Sequence, residues 1–285
     1  MSIESKIEFS GKLICINGLK LNNRVEIYIN KFYQGIITLY RVSREIVHMV
    51  EEGCQYLTLE LEEGGKITAV GIYFKSASGG MDGCFKLELQ ADILIKGEKT
   101  YTNTSKFKEI RFKITEGNEL IGLCPYDVNK NYEDILFYRK IDIPISTKNK
   151  MVQLENGELT FCVYPKYQYS KDSFSIGFAH CIAWKFDSAI DMEQIWEKLQ
   201  IITNFFSVLA GESITVNSLK CVDNDGEVEV IGLCNFPKEK LNILKNDTID
   251  STSFKRGSLY KVTDFQNLEQ ALEYWFCNYR NIYNA

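Results

Sequence analysis

The chain has 285 residues, a net charge of −5 and a pI of about 5.4, with 45% apolar and 25% charged residues. That composition supports a real core in one large domain, or in one domain with an extension. The acidic balance argues against indiscriminate binding to nucleic acid or to an anionic membrane surface, while leaving room for a local basic patch.

The nine cysteines are scattered singly, without a CxxC. That pattern points to reduced thiols in a cytoplasm rather than to a disulfide framework. Met1 to Ser10 carries charges where a signal peptide needs an apolar run. No stretch of about 18 apolar residues is present to span a membrane.

Residues 1–170 read as strands. Ile7–Ile16 and Arg24–Ile29 are short candidates split by Asn17-Gly18, and Gly35–Val42 is a third. Tyr56–Glu62 and Lys66–Phe74 flank Glu63-Gly64-Gly65, which predicts a hairpin. Ser76–Gly83 reads as a loop. Phe85, Leu87, Leu89, Ala91, Ile93 and Ile95 then alternate with polar residues, the signature of a half-buried strand. Ile110, Phe112 and Ile114 repeat the pattern, and Ile135–Ile145 gives another strand. Asn156-Gly157, between Met151–Leu154 and Leu159–Tyr164, predicts a type I′ turn.

From Phe174 to Phe186 large residues alternate with small ones over an unusual length. This predicts a strand with one bulky, core-facing side and one nearly bare side. Asp191 and Gln194 form a capping box for a helix over about 192–210. Its apolar face carries Met192, Ile195, Trp196, Leu199, Ile202, Phe205, Phe206 and Leu209, and Gly211 stands at the left-handed C-terminal position. Ile214–Val222 and Val228–Leu233 flank the turn Asp223–Gly226, and the polar stretch 237–260 reads as a linker. Thr263-x-x-Gln266 reads as a second capping box before a C-terminal helix. Leu268, Leu272, Trp275, Phe276 and Tyr279 line one face of that helix as a candidate interface. The expected fold is mainly β or α+β: an antiparallel β-rich domain with one long packed helix and a C-terminal aromatic helix. The expected division is 1–236, a β-rich domain, and 237–285, a linker and C-terminal helix.

Candidate chemistry is sparse. His180 lies on the bulky face of its strand, where it reads as a base or ligand or, more plainly, as a core histidine bonded to a neighbour. Arg41 and His48 fit the loose Arg-x4–6-His spacing of HEPN ribonucleases, but their flanks lack a helical-bundle pattern. Two histidines and unpaired cysteines supply no zinc signature. Asp223, Asp225 and Glu227 lack the twelve-residue loop of a calcium site. No metal or cofactor is expected. Lys96, Lys99, Lys106, Lys108, Arg111 and Lys113, with Tyr101 and Phe107 between them, form a basic and aromatic strip. Such a strip suits single-stranded nucleic acid, or is simply a solvated outer strand guarded by lysines.

The segment Ser173–Cys221 carries a family resemblance. A long apolar strand (FSIGFAHCIAWKF) leads to an acidic-capped helix (LQIITNFFSVLAGE) and then to a strand (SITVNSLKC). This is similar to the N-terminal domain of ApeA-like proteins, bacterial anti-phage abortive-infection factors. KFKEIRFKI, IDIPI and MVQLENGELTF follow the same order earlier in the chain, and LEQALEYWFCNYRNIY resembles the aromatic helix that precedes the HEPN domain in that family. The resemblance implies a cytoplasmic, non-catalytic sensor or regulatory module. The RNA-cleaving HEPN domain would lie beyond Ala285 or in a partner chain. A phage protein would be the trigger, RNA the target and a homodimer a further possibility, with no membrane partner. The family's catalytic Arg and His have no matching position here, since Arg41 and His48 lie in the wrong domain.

Overall fold

The structure, a computed structural model, describes residues 7–29, 35–80, 83–102, 104–123, 146–169, 174–233 and 260–283. The expected strand at 135–145 and most of the expected linker, including the boundary at 236/237, lie outside the described residues.

The strands are β1 Ile7–Ile16, β2 Asn23–Ile29, β3 Gly35–Val42, β4 Cys54–Leu61, β5 Lys66–Gly79, β6 Phe85–Gly97, β7 Phe107–Ile114, β8 Lys148–Leu154, β9 Gly157–Tyr169, β10 Phe174–Ile190, β11 Val216–Val222 and β12 Glu227–Leu233. The helices are α1 Arg44–Glu52, α2 Gly117–Ile121, α3 Met192–Ala210 and α4 Leu268–Tyr283, with a 3-10 turn at Val262–Asp264. The β-rich expectation holds, as do the long packed helix and the C-terminal helix. The chain forms two compact units.

The first unit comprises residues 1–107, 190–194 and 218–238. Its centre is a six-strand antiparallel barrel in the order β3-β2-β1-β4-β5-β6, closed by pairing of β3 with β6 from Gly35↔Ala91 to Val42↔Phe85. Closure removes the unpaired edges that an open sheet would present. Alternate residues point inward, so Leu13, Ile27, Ile37, Leu39, Leu57 and Leu87 form a dry interior. Helix α1 adds Ile46, Val47 and Val50 to that core. Sequence reading missed α1 because its apolar spacing spans barely one turn and a half.

The inward alternation of β6 changes phase near Asp92. Ala91 and Leu94 are fully buried, but Ile93, expected on the core face, is only half-buried. Across from Asp92 on β5 sits Gly71, at φ +65°, a left-handed conformation that suits glycine. The Ile72↔Ala91 pair on one side of Gly71 and the Ala69↔Leu94 pair on the other both belong to the core, so the phase change is shared by both strands. Beyond Ala91 β6 exchanges partners: its first half pairs with β3 and its last residues pair with β12, from Leu233↔Ile93 to Glu229↔Lys96. Strand β5 also continues through Ser76 to Gly79, where a loop was expected, because β6 pairs with it to Gly79↔Phe85.

The second unit comprises residues 108–189, 195–217 and 239–285. Strands β7, β10, β9 and β8 lie side by side. The bulky face of β10 buries Ile182, Trp184 and Phe186, as its alternation predicts. Helix α3 covers this sheet with Leu199, Ile202 and Phe206, and Phe206 meets Phe161 edge to face at 6.1 Å. The capping box forms: Gln194 N–H donates to Asp191 Oδ1 (3.0 Å) and Asp191 N–H to Gln194 Oε1 (3.2 Å). Gly211 takes φ +71°.

Two turn predictions are corrected. The β8–β9 hairpin forms, but Leu154 pairs with Gly157, so Glu155 and Asn156 are the loop residues. Neither takes the positive φ of a type I′ turn, and the positive φ falls on Gly157 instead. Thr263 does not cap the C-terminal helix. It lies inside the 3-10 turn, where Lys261 N–H donates to Asp264 Oδ2 at 2.8 Å, and α4 begins only at Leu268. Among the described residues no helix is long and apolar enough to cross a membrane.

Candidate functional site

Three segments of the first unit converge at one end of the barrel. Lys96 of β6 pairs with Ile67 of β5 and with Glu229 of β12. The Glu63-Gly64-Gly65 turn before β5, the end of β6, and the Asp223–Gly226 turn before β12 are therefore neighbours. With Tyr101 they line a cleft of about 800 Å³. Its walls carry the carboxylates of Glu63, Glu98, Asp223, Asp225, Glu227 and Glu229 against the ammoniums of Lys96, Lys99 and Lys220.

Asp223 is the hinge of this arrangement. Its Oδ1 accepts from the backbone N–H groups of Asp225 (2.7 Å) and Gly226 (2.9 Å), an Asx turn that shapes the loop. Its Oδ2 pairs with Lys99 Nζ at 2.8 Å, although only 6% of the Asp223 side chain is exposed. Lys99 also pairs with Asp225. Tyr101 is buried, stacks on Phe107 with ring centroids 6.0 Å apart, and turns its hydroxyl toward Asp223 Oδ2 at 3.5 Å. Lys96 pairs with Glu63 (3.2 Å), and Lys220 with Glu227 (2.5 Å).

The electrostatics push each of three groups further from neutrality of pH. Burial alone would raise the Asp223 carboxyl, but the Lys99 ammonium and the two turn N–H groups hold it below its ordinary range. The hydrogen bonds to Asp223 and Asp225 raise the Lys99 ammonium. Burial, then the Asp223 charge, pushes the Tyr101 hydroxyl up to about 12. A general acid or base needs a pKa near the working pH. These groups keep fixed charge states near neutral pH instead.

The residues of the basic strip are divided between the two units. Lys96, Lys99 and Lys106 belong to the first unit, and Lys108, Arg111 and Lys113 to the second. Tyr101 and Phe107, the expected stacking residues, are 2% and 0% exposed. Arg111 pairs with Glu109 at 2.6 Å, and Lys113 lies over the Tyr164 ring at 6.0 Å. Lys106, Lys108 and Arg111 are exposed.

The histidines sit on separate elements. His48 is on the outer side of α1, 62% exposed, with Glu51 at 3.4 Å. Arg41 closes β3 in a left-handed conformation, φ +56°, and its carbonyl accepts from Asn23 Nδ2 at 2.9 Å. In the second unit, His180 Nε2 accepts from Ile114 N–H (3.1 Å) and Nδ1 faces Asn118 Oδ1 (3.2 Å). Both ring nitrogens are thus used in bracing α2 and the end of β7 against β10. Burial, then the Lys113 charge, lowers the imidazole pKa.

The candidate interface residues of α4 pack within the second unit. Leu268 and Leu272 are buried, and Trp275, Phe276 and Tyr279 are half-buried. Trp275 Nε1 donates to Ile201 O at 2.9 Å and its ring meets Phe205 at 5.8 Å; Phe276 meets Trp184 at 5.2 Å; Asn204 donates to the Tyr279 hydroxyl. The opposite side of α4 presents Tyr274, 66% exposed.

Sequence reading missed the cleft as a site. Its residues come from three segments far apart in the chain; the Glu63–Gly65 and Asp223–Gly226 turns are each an ordinary hairpin, and the third is simply the end of β6. Among the described residues no group of three His, Cys, Asp or Glu is placed to hold a metal ion.

Compared with protein families, residues 12–275 match the family model described as ApeA N-terminal domain 1. No curated protein and no solved structure matches the chain.

Proposed function

The chain belongs to the ApeA N-terminal domain 1 family, and on that premise we propose that it is the non-catalytic recognition and regulatory module of a bacterial anti-phage ribonuclease system. The family supplies the anti-phage defence context. The module works in the cytoplasm and takes up a phage protein trigger. The RNA-cleaving HEPN part is a further domain or a partner chain.

The observation that carries this reading is the charged cleft. It has the volume of a binding site, and Asp223, Lys99 and Tyr101 are all driven away from the pKa range of acid–base catalysis. Its preponderance of carboxylates favours a basic surface on the trigger. His180 is occupied as a structural brace, which supports a role without catalysis in this chain.

The test is a phage challenge of cells carrying the complete system. Glu98 and Glu229 are exposed on the cleft and leave the Asp223 turn untouched. Glu98→Lys with Glu229→Lys is expected to abolish protection without lowering protein level. Full protection by that variant would remove the cleft from recognition. RNA cleavage by the purified chain that His48→Ala or His180→Ala eliminates would overturn the non-catalytic assignment.

A further inference from the structure

Cys162 of β9 and Cys181 of β10 stand directly opposite one another in an antiparallel ladder. Residues so placed have Cα atoms about 4.5–5.5 Å apart, inside the 4.4–6.8 Å window of ordinary disulfides. They also point to the same side of the sheet. That side is the small-residue face of β10. Ala179, Cys181 and Ala183 are half-buried there, as are Thr160 and Cys162 on β9, whereas Phe161, Val163 and Ile182 on the other side are fully buried. The two side chains thus leave the sheet from directly opposed positions on the same, half-buried face. The pair lies midway along a register that runs from Phe174↔Tyr169 to Phe186↔Gly157, so a bond between them needs no change of strand pairing.

We propose that Cys162 and Cys181 form a reversible cross-strand disulfide, making the β9–β10 ladder a redox-responsive element of this protein. The thiols are reduced in the structure. The oxidant is a peroxide. One thiolate attacks the O–O bond, which breaks to leave a sulfenic acid and one water. The other thiol attacks that sulfur, the S–S bond forms, and the sulfenic oxygen departs as a second water. Two electrons pass from the sulfurs to the peroxide, and a dithiol returns them on reduction. Burial raises the Cys162 thiol above its ordinary value, which slows the reaction and keeps the pair reduced until oxidant accumulates. The bond closes the segment between β9 and β10 covalently, which restricts the unfolded chain and stabilises the sheet that carries α3.

The experiment treats the purified full chain with hydrogen peroxide, alkylates the remaining thiols, and maps disulfides by peptide mass spectrometry with and without dithiothreitol. The expected result is a dithiothreitol-sensitive peptide joining Cys162 to Cys181, accompanied by a rise in Tm. Cys162→Ser and Cys181→Ser should each lose both. Recovery of both cysteines as alkylated thiols, their separate oxidation to sulfinic acids, or their pairing with other cysteines would overturn the proposal. The map is read on the unaltered chain, so the outcome does not depend on the variants folding.

Discussion

The backbone N–H of Ile114 donates to Nε2 of His180 across 3.1 Å. That bond sets the tautomer, because a ring nitrogen that accepts carries no proton. Nδ1 then donates to Asn118 Oδ1 at 3.2 Å, and Asn118 Nδ2 donates on to Phe178 O at 3.0 Å. Protonating the ring would place two N–H groups nose to nose at Ile114. The folded chain therefore holds the neutral imidazole, and the His180 pKa lies below its ordinary 6.5.

The sign of the pH effect follows. Between the lowered folded value and 6.5 the unfolded chain binds the proton and the folded chain does not, so stability falls as pH drops through 6.5 and levels off below the folded value. Urea midpoints at pH 8 and pH 5.5 should differ more for the native chain than for His180→Gln. Equal differences would remove His180 from the acid sensitivity. His180→Ala should cost about 1–3 kcal/mol at pH 8, since it leaves the Ile114 N–H without its acceptor.

Gly117 closes the same brace from the other side. A Cβ there would lie 2.2 Å from His180 Nε2 and 2.5 Å from two ring carbons. The ring is pinned at both nitrogens and cannot swing away. Gly117→Ala should therefore destabilise by about 1–3 kcal/mol through overpacking. Thermal unfolding of Gly117→Ala in the His180→Ala background should recover much of that loss, since the clash is gone. An additive double mutant would show that something other than the ring sets the cost.

Much of the fold was legible because period and punctuation agreed. The alternation in Phe174–Phe186, the Asp191/Gln194 box and Gly211 each point to one local structure, and the sheet and α3 realise all three. Where sequence reading failed, tertiary contacts decided. Ser76 to Gly79 look like a loop, yet β6 supplies a full ladder of partners. Ile93 sits at the inward position by count, but Gly71 on the neighbouring strand turns the phase. The basic strip reads as one surface in a linear sequence, while the aromatic rings inside it face the core. Barrel closure through β3 and β6 joins strands more than forty residues apart, and nothing in either strand marks the other as its partner.

Trp184 and Trp275, two of the tryptophans of the second unit, make a matched comparison. Trp184 is 2% exposed, lies 5.2 Å from Phe276 and 5.1 Å beneath Lys198 Nζ, and its Nε1 has no hydrogen-bond partner among the described residues. Trp275 Nε1 donates to Ile201 O at 2.9 Å. Replacement by phenylalanine keeps a ring at each position and deletes the donor. Trp275→Phe loses a hydrogen bond and leaves a carbonyl under-satisfied, at a cost of about 1–2 kcal/mol beyond lost packing. Trp184→Phe removes a buried donor that gains nothing in the folded state, so the packing loss is partly offset. Denaturant midpoints should place Trp275→Phe below Trp184→Phe. The reverse order would mean that ring volume, not the N–H, governs both sites.

Asp223 links the shape of the cleft to its charge, and the two roles can be separated. Asparagine keeps an oxygen to accept from the Asp225 and Gly226 N–H groups, so Asp223→Asn should preserve the turn while weakening the hold on Lys99. Alanine keeps neither, and Asp223→Ala should cost about 1–2 kcal/mol from the lost charged hydrogen bonds. The Asp223 carboxyl is depressed below 3.8, so its contribution is fully present above that value and is lost as pH falls through the folded pKa. Below 3.8 the stability of the native chain should therefore fall more steeply with pH than that of a variant whose turn no longer depends on ionisation. Asp223→Asn supplies that comparison: its stability should change less between pH 5 and pH 3 than that of the native chain. If both fall in parallel, the acid limb belongs to other carboxylates and Asp223 acts on the turn alone.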